Sequence, residues 1–317
     1  MDSSKPEVVT EIPGVIRVYK DGRVERLIET DFVPPSTDPQ TGVSSKDIMI
    51  IPESNVSARL FLPKLTNPNQ KLPLLVYFHG GAYCVSSPFT PKYSSYLNAL
   101  VAEAKVIAVS VNYRKAPEHP IPTAYEDSWA ALQWVVSHCN SQGPEAWLTD
   151  HADFERLFLG GESAGANIAH NLATFAGDPK FGQNVQILGI ALVHPHFWGS
   201  DPIGSEALDP ARKAILDRLW PFVCPSNPDN DDPRVNPVAT DGPSLVGLGC
   251  KRVLVCVAEK DVLRDRGWLY YEALGRSGWT GVVEIMETEG EDHGFHLSDL
   301  ECEKAKDLIN RDMPLFF

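Results

Sequence analysis

Basic side chains are the scarce class in this 317-residue chain: 28 Lys and Arg face 42 Asp and Glu, a formal charge of −14 at pH 7. Nucleic acids and anionic membranes are polyanions that such a chain repels at long range, so neither is expected as a partner. Cysteine is sparse too. The six, at 84, 139, 224, 250, 256 and 302, show neither Cys-x-x-Cys spacing nor the density of a disulfide scaffold. That pattern fits a reducing compartment. Cys250 and Cys256 bracket an apolar run and read as small hydrophobes, and no metal site is expected. Nowhere do about 18 consecutive apolar residues occur, which argues against a transmembrane helix. Met1 to Thr10 carries Asp2, Lys5 and Glu7 in place of the apolar core of a secretory signal. The expectation is a cytoplasmic protein. Repeats at solenoid or propeller periods are absent, as are low-complexity tracts.

What remains is an ordinary globular composition, 43% hydrophobic and 22% charged, with apolar material for a large core. Val15 to Ile28 reads as two short extended runs around the turn dipeptide Asp21-Gly22, and Phe32 to Gly42, with three prolines, as a loop. Strands are expected at Asp47–Ile51, Val56–Leu62 and Leu74–Phe78. From there strand and helix alternate: Tyr93–Ala104 helical, Val106–Val111 extended, Thr123–His138 helical, Leu157–Leu159 extended and Ser163–Ala176 helical. Strands at Ile187–Val193, Val253–Val257 and Val282–Met286, with helices at Trp268–Leu274 and Glu301–Ile309, continue it. Uniformly apolar strands joined by amphipathic helices imply a mostly parallel sheet covered on both faces, in a single domain. Between Ser200 and Pro243 eight prolines surround one helical stretch near Ala211–Leu219. This insertion (200–243) and the N-terminal segment (1–45) are expected to form a lid over the ends of the strands, where α/β sheets bind ligands.

Gly161-Glu162-Ser163-Ala164-Gly165 fits Gly-x-Ser-x-Gly between an expected strand and an expected helix, the context that motif requires. A sharp turn there lifts the serine above the sheet edge and aims the Ala164 N–H at a developing oxyanion. His79-Gly80-Gly81-Ala82 follows the Leu74–Phe78 strand, and its Gly80 and Gly81 N–H groups are assigned to the same oxyanion. Asp261 and then His293 follow later strands, giving the chain order Ser, Asp, His of an α/β-hydrolase fold with an eight-stranded sheet. Asp265 and Asp292 compete with Asp261, but Asp261 lies nearest its strand end and Asp265 suits a helix or ion pair. His296 competes with His293. Glu289, Glu291 and Asp292 crowd the histidine loop and would raise the base's pKa if close.

Several separated blocks resemble the plant carboxylesterases of the hormone-sensitive-lipase group. They are His79-Gly80-Gly81, Tyr113-Arg114-Lys115-Ala116-Pro117-Glu118-His119-Pro120, Gly160 to Gly165, Glu259-Lys260-Asp261 through Arg266, and His293-Gly294-Phe295-His296. The resemblance implies nucleophile Ser163, acid Asp261, base His293, oxyanion donors Gly80, Gly81 and Ala164, a monomer, and no cofactor. His296 becomes a supporting or buried partner of the base. Ala82 stands where that family usually has a third glycine. The chain also resembles the legume 2-hydroxyisoflavanone dehydratases, in Ile16 to Gly22, Asp38 to Asp47 and Phe197-Trp198-Gly199-Ser200, although those often carry threonine at the nucleophile position. The gibberellin receptors are similar but lack the catalytic histidine. The expected function is therefore hydrolysis of small-molecule esters in plant specialised metabolism, with a dehydratase acting on a phenolic ketone as the alternative and a ligand receptor last. Ala82, Tyr83, Phe197, Trp198, Trp220 and Phe222 are the candidate pocket walls, since they fall in loops after strands or in the insertion.

Overall fold

A computed structural model describes residues 7–28, 31–139, 142–181 and 185–317. Parts of the expected N-terminal lid segment, 1–6 and 29–30, lie outside the described residues. The described chain opens with a small antiparallel sheet, β1 (Val8–Ile12), β2 (Ile16–Tyr19) and β3 (Val24–Arg26). The hairpin expected around Asp21-Gly22 joins β2 to β3. β1 is a strand beyond those that the sequence pattern predicts.

The main sheet has eight strands: β4 (Ser44–Ile51), β5 (Val56–Leu62), β6 (Leu72–Phe78), β7 (Ile107–Asn112), β8 (Ala152–Glu162), β9 (Gly189–Val193), β10 (Arg252–Ala258) and β11 (Val282–Thr288). Their order is β11-β10-β9-β8-β6-β7-β5-β4. β4 and β5 pair antiparallel, as do β5 and β7, and all other neighbours are parallel. Burial follows position. Every residue of β6 and β9 is buried, whereas the edge strands β4 and β11 are largely half-exposed. Within β6 the two-residue period divides the side chains between two cores. Leu74, Val76 and Phe78 enter one, while Leu75 and Tyr77 enter the other.

Helices cover both faces, as the alternation predicts. α2 (Thr123–Val136), α4 (Ala164–Gly177) and α8 (Arg264–Arg276) supply the first core. α1 (Pro91–Ala104) and the C-terminal α11 (Met313–Phe316) supply the second. α3 (Ala146–His151) leads into β8. The expected helix of the insertion is three short ones: α5 (Gly204–Leu208), α6 (Pro210–Leu216), whose Arg212 N–H donates to the Asp209 side chain, and α7 (Leu219–Val223). The expected C-terminal helix is likewise divided. α10 (Glu303–Asp307) passes through a wider turn, Leu308–Asp312, into α11. The glycine pair Gly160-Gly161, read as an exit from the strand, stays inside β8, where it pairs with Tyr77 and Phe78.

The parallel strands all point the same way, so their carboxyl ends open on one edge. His79 follows β6, Ser163 follows β8, His194 and His196 follow β9, Asp261 follows β10 and His293 follows β11. No described helix is long and apolar enough to cross a membrane.

Candidate active site

Ser163 links β8 to α4 with φ 55° and ψ −118°, a left-handed turn that L-residues adopt only under constraint. The constraint is close packing. A Cβ on Gly165 would lie 1.9 Å from the Phe78 carbonyl oxygen, so only glycine lets α4 approach the end of β6. Backbone bonds pin the turn on the other side: Ser163 N–H donates to Val193 O at 2.9 Å, and Ser163 O accepts from His196 N–H at 3.0 Å.

Asp261 is 2% exposed. One of its oxygens accepts from the Leu263 N–H at 3.0 Å and the other lies 2.7 Å from His293 Nδ1. The geometry thus selects Asp261 from the competing carboxylates. Asp265 sits in the first turn of α8, pairing with Arg264 and accepting from Ser205 N–H. Asp292 pairs with Arg212 at 3.5 Å and Glu291 with Lys304 at 3.2 Å. His296 is fully buried against Tyr96, with ring centroids 5.2 Å apart.

A second carboxylate reaches the histidine, and it is not one of the loop residues. Glu162 Oε1 is 3.3 Å from His293 Nε2, while Oε2 accepts from the Tyr93 hydroxyl at 2.8 Å. Burial works against a charged ring, but Asp261 and Glu162 outweigh it and raise the His293 pKa to about 10. Burial also opposes the charge on the two carboxylates, and the histidine overcomes that and lowers both. The neighbouring histidines go the other way. Desolvation lowers His194 and His296 to about 3 and His196 to about 4, so they stay neutral around the charged one. Among the described residues the Ser163 hydroxyl makes no hydrogen bond, and the acceptor facing His293 Nε2 is Glu162.

The oxyanion assignment needs one correction. Gly80 N–H donates to the Tyr93 hydroxyl at 2.8 Å, and a Cβ there would fall 2.0 Å from Glu162 Oε2. Gly80 is thus a packing position whose N–H is already engaged. Gly81 and Ala82 line the cavity instead, and the Ala164 N–H, at the first residue of α4, has no partner within the helix. His79 is a loop anchor, as its position suggests: its ring stacks on Tyr113 at 4.3 Å and Nδ1 lies 2.7 Å from Gly80 O.

Ser163, Asp261, His293 and Glu162 open on one cavity of about 420 Å³. Of the six expected wall residues only Ala82 lines it. Phe197 packs on Tyr270 at 4.8 Å, Trp198 donates to Asp217 at 2.8 Å, and Tyr83 and Trp220 meet edge-on at 6.3 Å. Phe222 packs, half-buried, against the same core. Large aromatics on these loops gain more by filling the space beneath the insertion than by facing a cavity. Its apolar wall is aliphatic, with Ile12, Val15 and Ile28 from the N-terminal sheet and its exit and Ile215, Leu216 and Leu219 from the insertion, while Lys92, Tyr93, His196 and Arg212 add polar groups. Arg26 of β3 fixes that sheet to the oxyanion loop, donating to Cys84 O at 2.7 Å and pairing with Glu118 at 2.7 Å.

His194, Asp261 and His293 offer three potential ligand atoms within 4.8 Å of one another. Two of those residues are already bonded to each other, so the cluster reads as a hydrogen-bonded relay rather than a metal site.

The alpha/beta hydrolase fold family matches residues 75–297. Over 316 residues the chain is 51% identical to a protein of Arabidopsis thaliana named "Probable carboxylesterase 2", covering 100% of this chain and 98% of the relative. It is 48% identical over 315 residues to the 2-hydroxyisoflavanone dehydratase of Glycyrrhiza echinata, covering 98% and 96%. Among solved structures, the hyperthermophilic esterase of Pyrobaculum calidifontis superposes with a TM-score of 0.70 at 26% identity, over 85% of this chain and 83% of that one. Fold, site geometry and relatives agree: the chain belongs to the alpha/beta hydrolase fold family, in the branch that holds these plant carboxylesterases and 2-hydroxyisoflavanone dehydratases.

Proposed function

We propose that the protein is a serine carboxylesterase acting on small-molecule esters. The observation that carries this is the placement of Ser163, on its left-handed turn, in the same cavity as a histidine held at 2.7 Å by a buried aspartate. With Nδ1–H donated to Asp261, a neutral His293 has its Nε2 lone pair free to take the proton from Ser163 as the hydroxyl attacks the ester carbonyl. Asp261 then stabilises the imidazolium. The N–H groups of Gly81, Ala82 and Ala164 receive the oxyanion, each worth on the order of 10² to 10³ in rate. The imidazolium returns its proton to the departing alcohol, and water, activated by the same histidine, releases the acid.

The aliphatic walls suit an apolar acyl or alcohol group, and we assign the β1–β3 sheet and α5–α7 the role of a lid that selects it. A cytoplasmic monomer of plant specialised metabolism is the setting that this reading carries. The test is hydrolysis of p-nitrophenyl butyrate together with covalent labelling by a fluorophosphonate. Ser163→Ala should lose the label and at least roughly 10⁴-fold of the rate while remaining folded. Absence of labelling in the wild type rejects the triad.

The dehydratase relative favours a second reading, in which His293 acts as a base on carbon and the oxyanion site polarises a ketone. Turnover of 2,7,4′-trihydroxyisoflavanone far more efficient than that of the ester would put this reading first.

A further inference from the structure

Glu162 stands directly before the nucleophile, and acyl transfer as derived above makes no use of it. Its side chain is 6% exposed, yet it lines the catalytic cavity. Gly80 N–H donates to Tyr93 Oη, Tyr93 O–H donates to Glu162 Oε2, and Glu162 Oε1 meets His293 Nε2, at 2.8, 2.8 and 3.3 Å. The oxyanion loop, α1 and the base therefore form one connected unit.

The protons must be placed. An ionised carboxylate only accepts, and a neutral imidazole has one N–H and one lone pair. Set between Asp261 and Glu162, a neutral ring would turn its lone pair against one of two anions. A doubly protonated ring donates to both. The other groups facing it do not change this balance. Lys92 and Tyr93 come from α1, His194 and His196 follow β9, Arg212 comes from α6 paired with Asp292, and His296 comes from α9 (Phe295–Ser298). The three histidines are held neutral by burial, as described, and Asp292 is taken up by Arg212 and by the backbone N–H of His293 at 2.7 Å.

We propose that Glu162 is a positioning residue that holds the His293 ring as an imidazolium away from the Ser163 hydroxyl in the free enzyme. One proton must leave the ring for solvent before Nε2 passes from Glu162 to Ser163 and becomes a base. The enzyme is thereby gated by pH: below the gate the ring stays parked on Glu162, and above it the serine is activated. This inference rests on the esterase reading for its kinetic consequence, but the ring's charge can be measured without any substrate.

The experiment compares wild type with Glu162→Gln, which keeps the shape and an acceptor for Tyr93 while removing the charge. Long-range ¹H–¹⁵N spectra report both ring nitrogens of His293 as pH is raised. The wild-type ring is expected to remain doubly protonated at about pH 7.5, and the variant ring to lose its proton at least about one pH unit lower than the wild type. With p-nitrophenyl butyrate the acid limb of kcat/KM should move down by the same amount, so that at about pH 6 the variant retains roughly tenfold more of its own plateau activity. A purely structural role would lower the plateau and leave the limb in place. Equal titration of the ring in both proteins overturns the proposal. If Glu162→Gln fails to fold, a wild-type ring that is already mostly neutral at about pH 7.5 overturns it, and one still doubly protonated there upholds it. Absence of ester hydrolysis would remove the esterase reading and leave the spectroscopic outcome standing.

Discussion

Arg266 and Glu206 form an ion pair almost without solvent contact, with side chains 5% and 0% exposed. Nε and Nη2 of the guanidinium reach the two carboxylate oxygens at 2.7 and 2.8 Å, and Nη2 also donates to Asp201 O at 2.6 Å. The pair ties α8 to α5, and hence the insertion to the main sheet. Glu206→Ala leaves the guanidinium charge buried with carbonyl partners only, a loss expected at about 3–5 kcal/mol. At about 2 °C per kcal/mol for a chain of this size, the midpoint of unfolding should fall by roughly 6–10 °C. The double change Arg266→Met with Glu206→Leu removes both charges at similar volume, and it should recover most of that loss because the desolvation penalty disappears with the pair. Urea and thermal unfolding followed by circular dichroism measure both. α8 begins at Arg264, three residues after Asp261, whose carboxylate accepts the Leu263 N–H. Loosening α8 should therefore lower kcat/KM along with stability. A Glu206→Ala protein that melts within about 1 °C of the wild type, or a double variant no more stable than the single one, refutes the reasoning.

Two further outcomes are expected. His79, His170, His194, His196 and His296 are buried, and desolvation lowers each to a pKa of about 3 or 4, against 6.5 in the unfolded chain. The unfolded state takes up these protons as pH falls below 6.5 while the native state does not, so at about pH 5.5 each costs about 1 kcal/mol and the five together on the order of 5 kcal/mol. His293, raised to about 10, contributes in the opposite sense: its stabilisation grows until the pH is below 6.5, so between about pH 7.5 and 5.5 it returns about 1 kcal/mol and cancels roughly one of the five losses. Urea midpoints at about pH 7.5 and 5.5 measure this, and equal midpoints would contradict it. Gly165→Ala places a methyl 1.9 Å from the Phe78 carbonyl oxygen, and backbone must move to admit it. The cost should reach about 3 kcal/mol, with ester hydrolysis lost even where the variant folds; a soluble variant with wild-type kcat/KM counts against the close approach described.

The central sheet and the chain order of the candidate site are legible because both are written locally. Leu74 to Phe78 and Val253 to Val257 are uninterrupted apolar runs, and the glycines of Gly161 to Gly165 mark a turn whose demands are steric. Nothing in that pentapeptide gives Glu162 a role, since its partners are Tyr93, 69 residues earlier, and His293, brought in from the far edge of the sheet. The engagement of Gly80 is hidden for a related reason, since its acceptor Tyr93 lies 13 residues on, in α1. The aromatic residues chosen as walls failed for a different reason. Position in a loop does not say which way a side chain turns, and Trp198 and Trp220 satisfy their apolar surface inward. α3, α5 and α9 (Phe295–Ser298), of six, five and four residues, are too short to show a helical period.

The division of labour around the cavity bears on how such a chain can change over generations. The candidate reacting groups stand at the ends of β8, β10 and β11, and around Ser163 the glycines Gly161 and Gly165 tolerate no side chain. The aliphatic walls come from two segments outside that sheet, one near the N-terminus and one some two hundred residues later, joined to it by ion pairs such as Arg26–Glu118 and Arg266–Glu206. Exchanging Ile12, Val15, Ile215 or Leu219 alters the shape a substrate must have and leaves the strand ends where they are. Selection can therefore explore new substrates at these positions while the reaction chemistry stays shielded from the search.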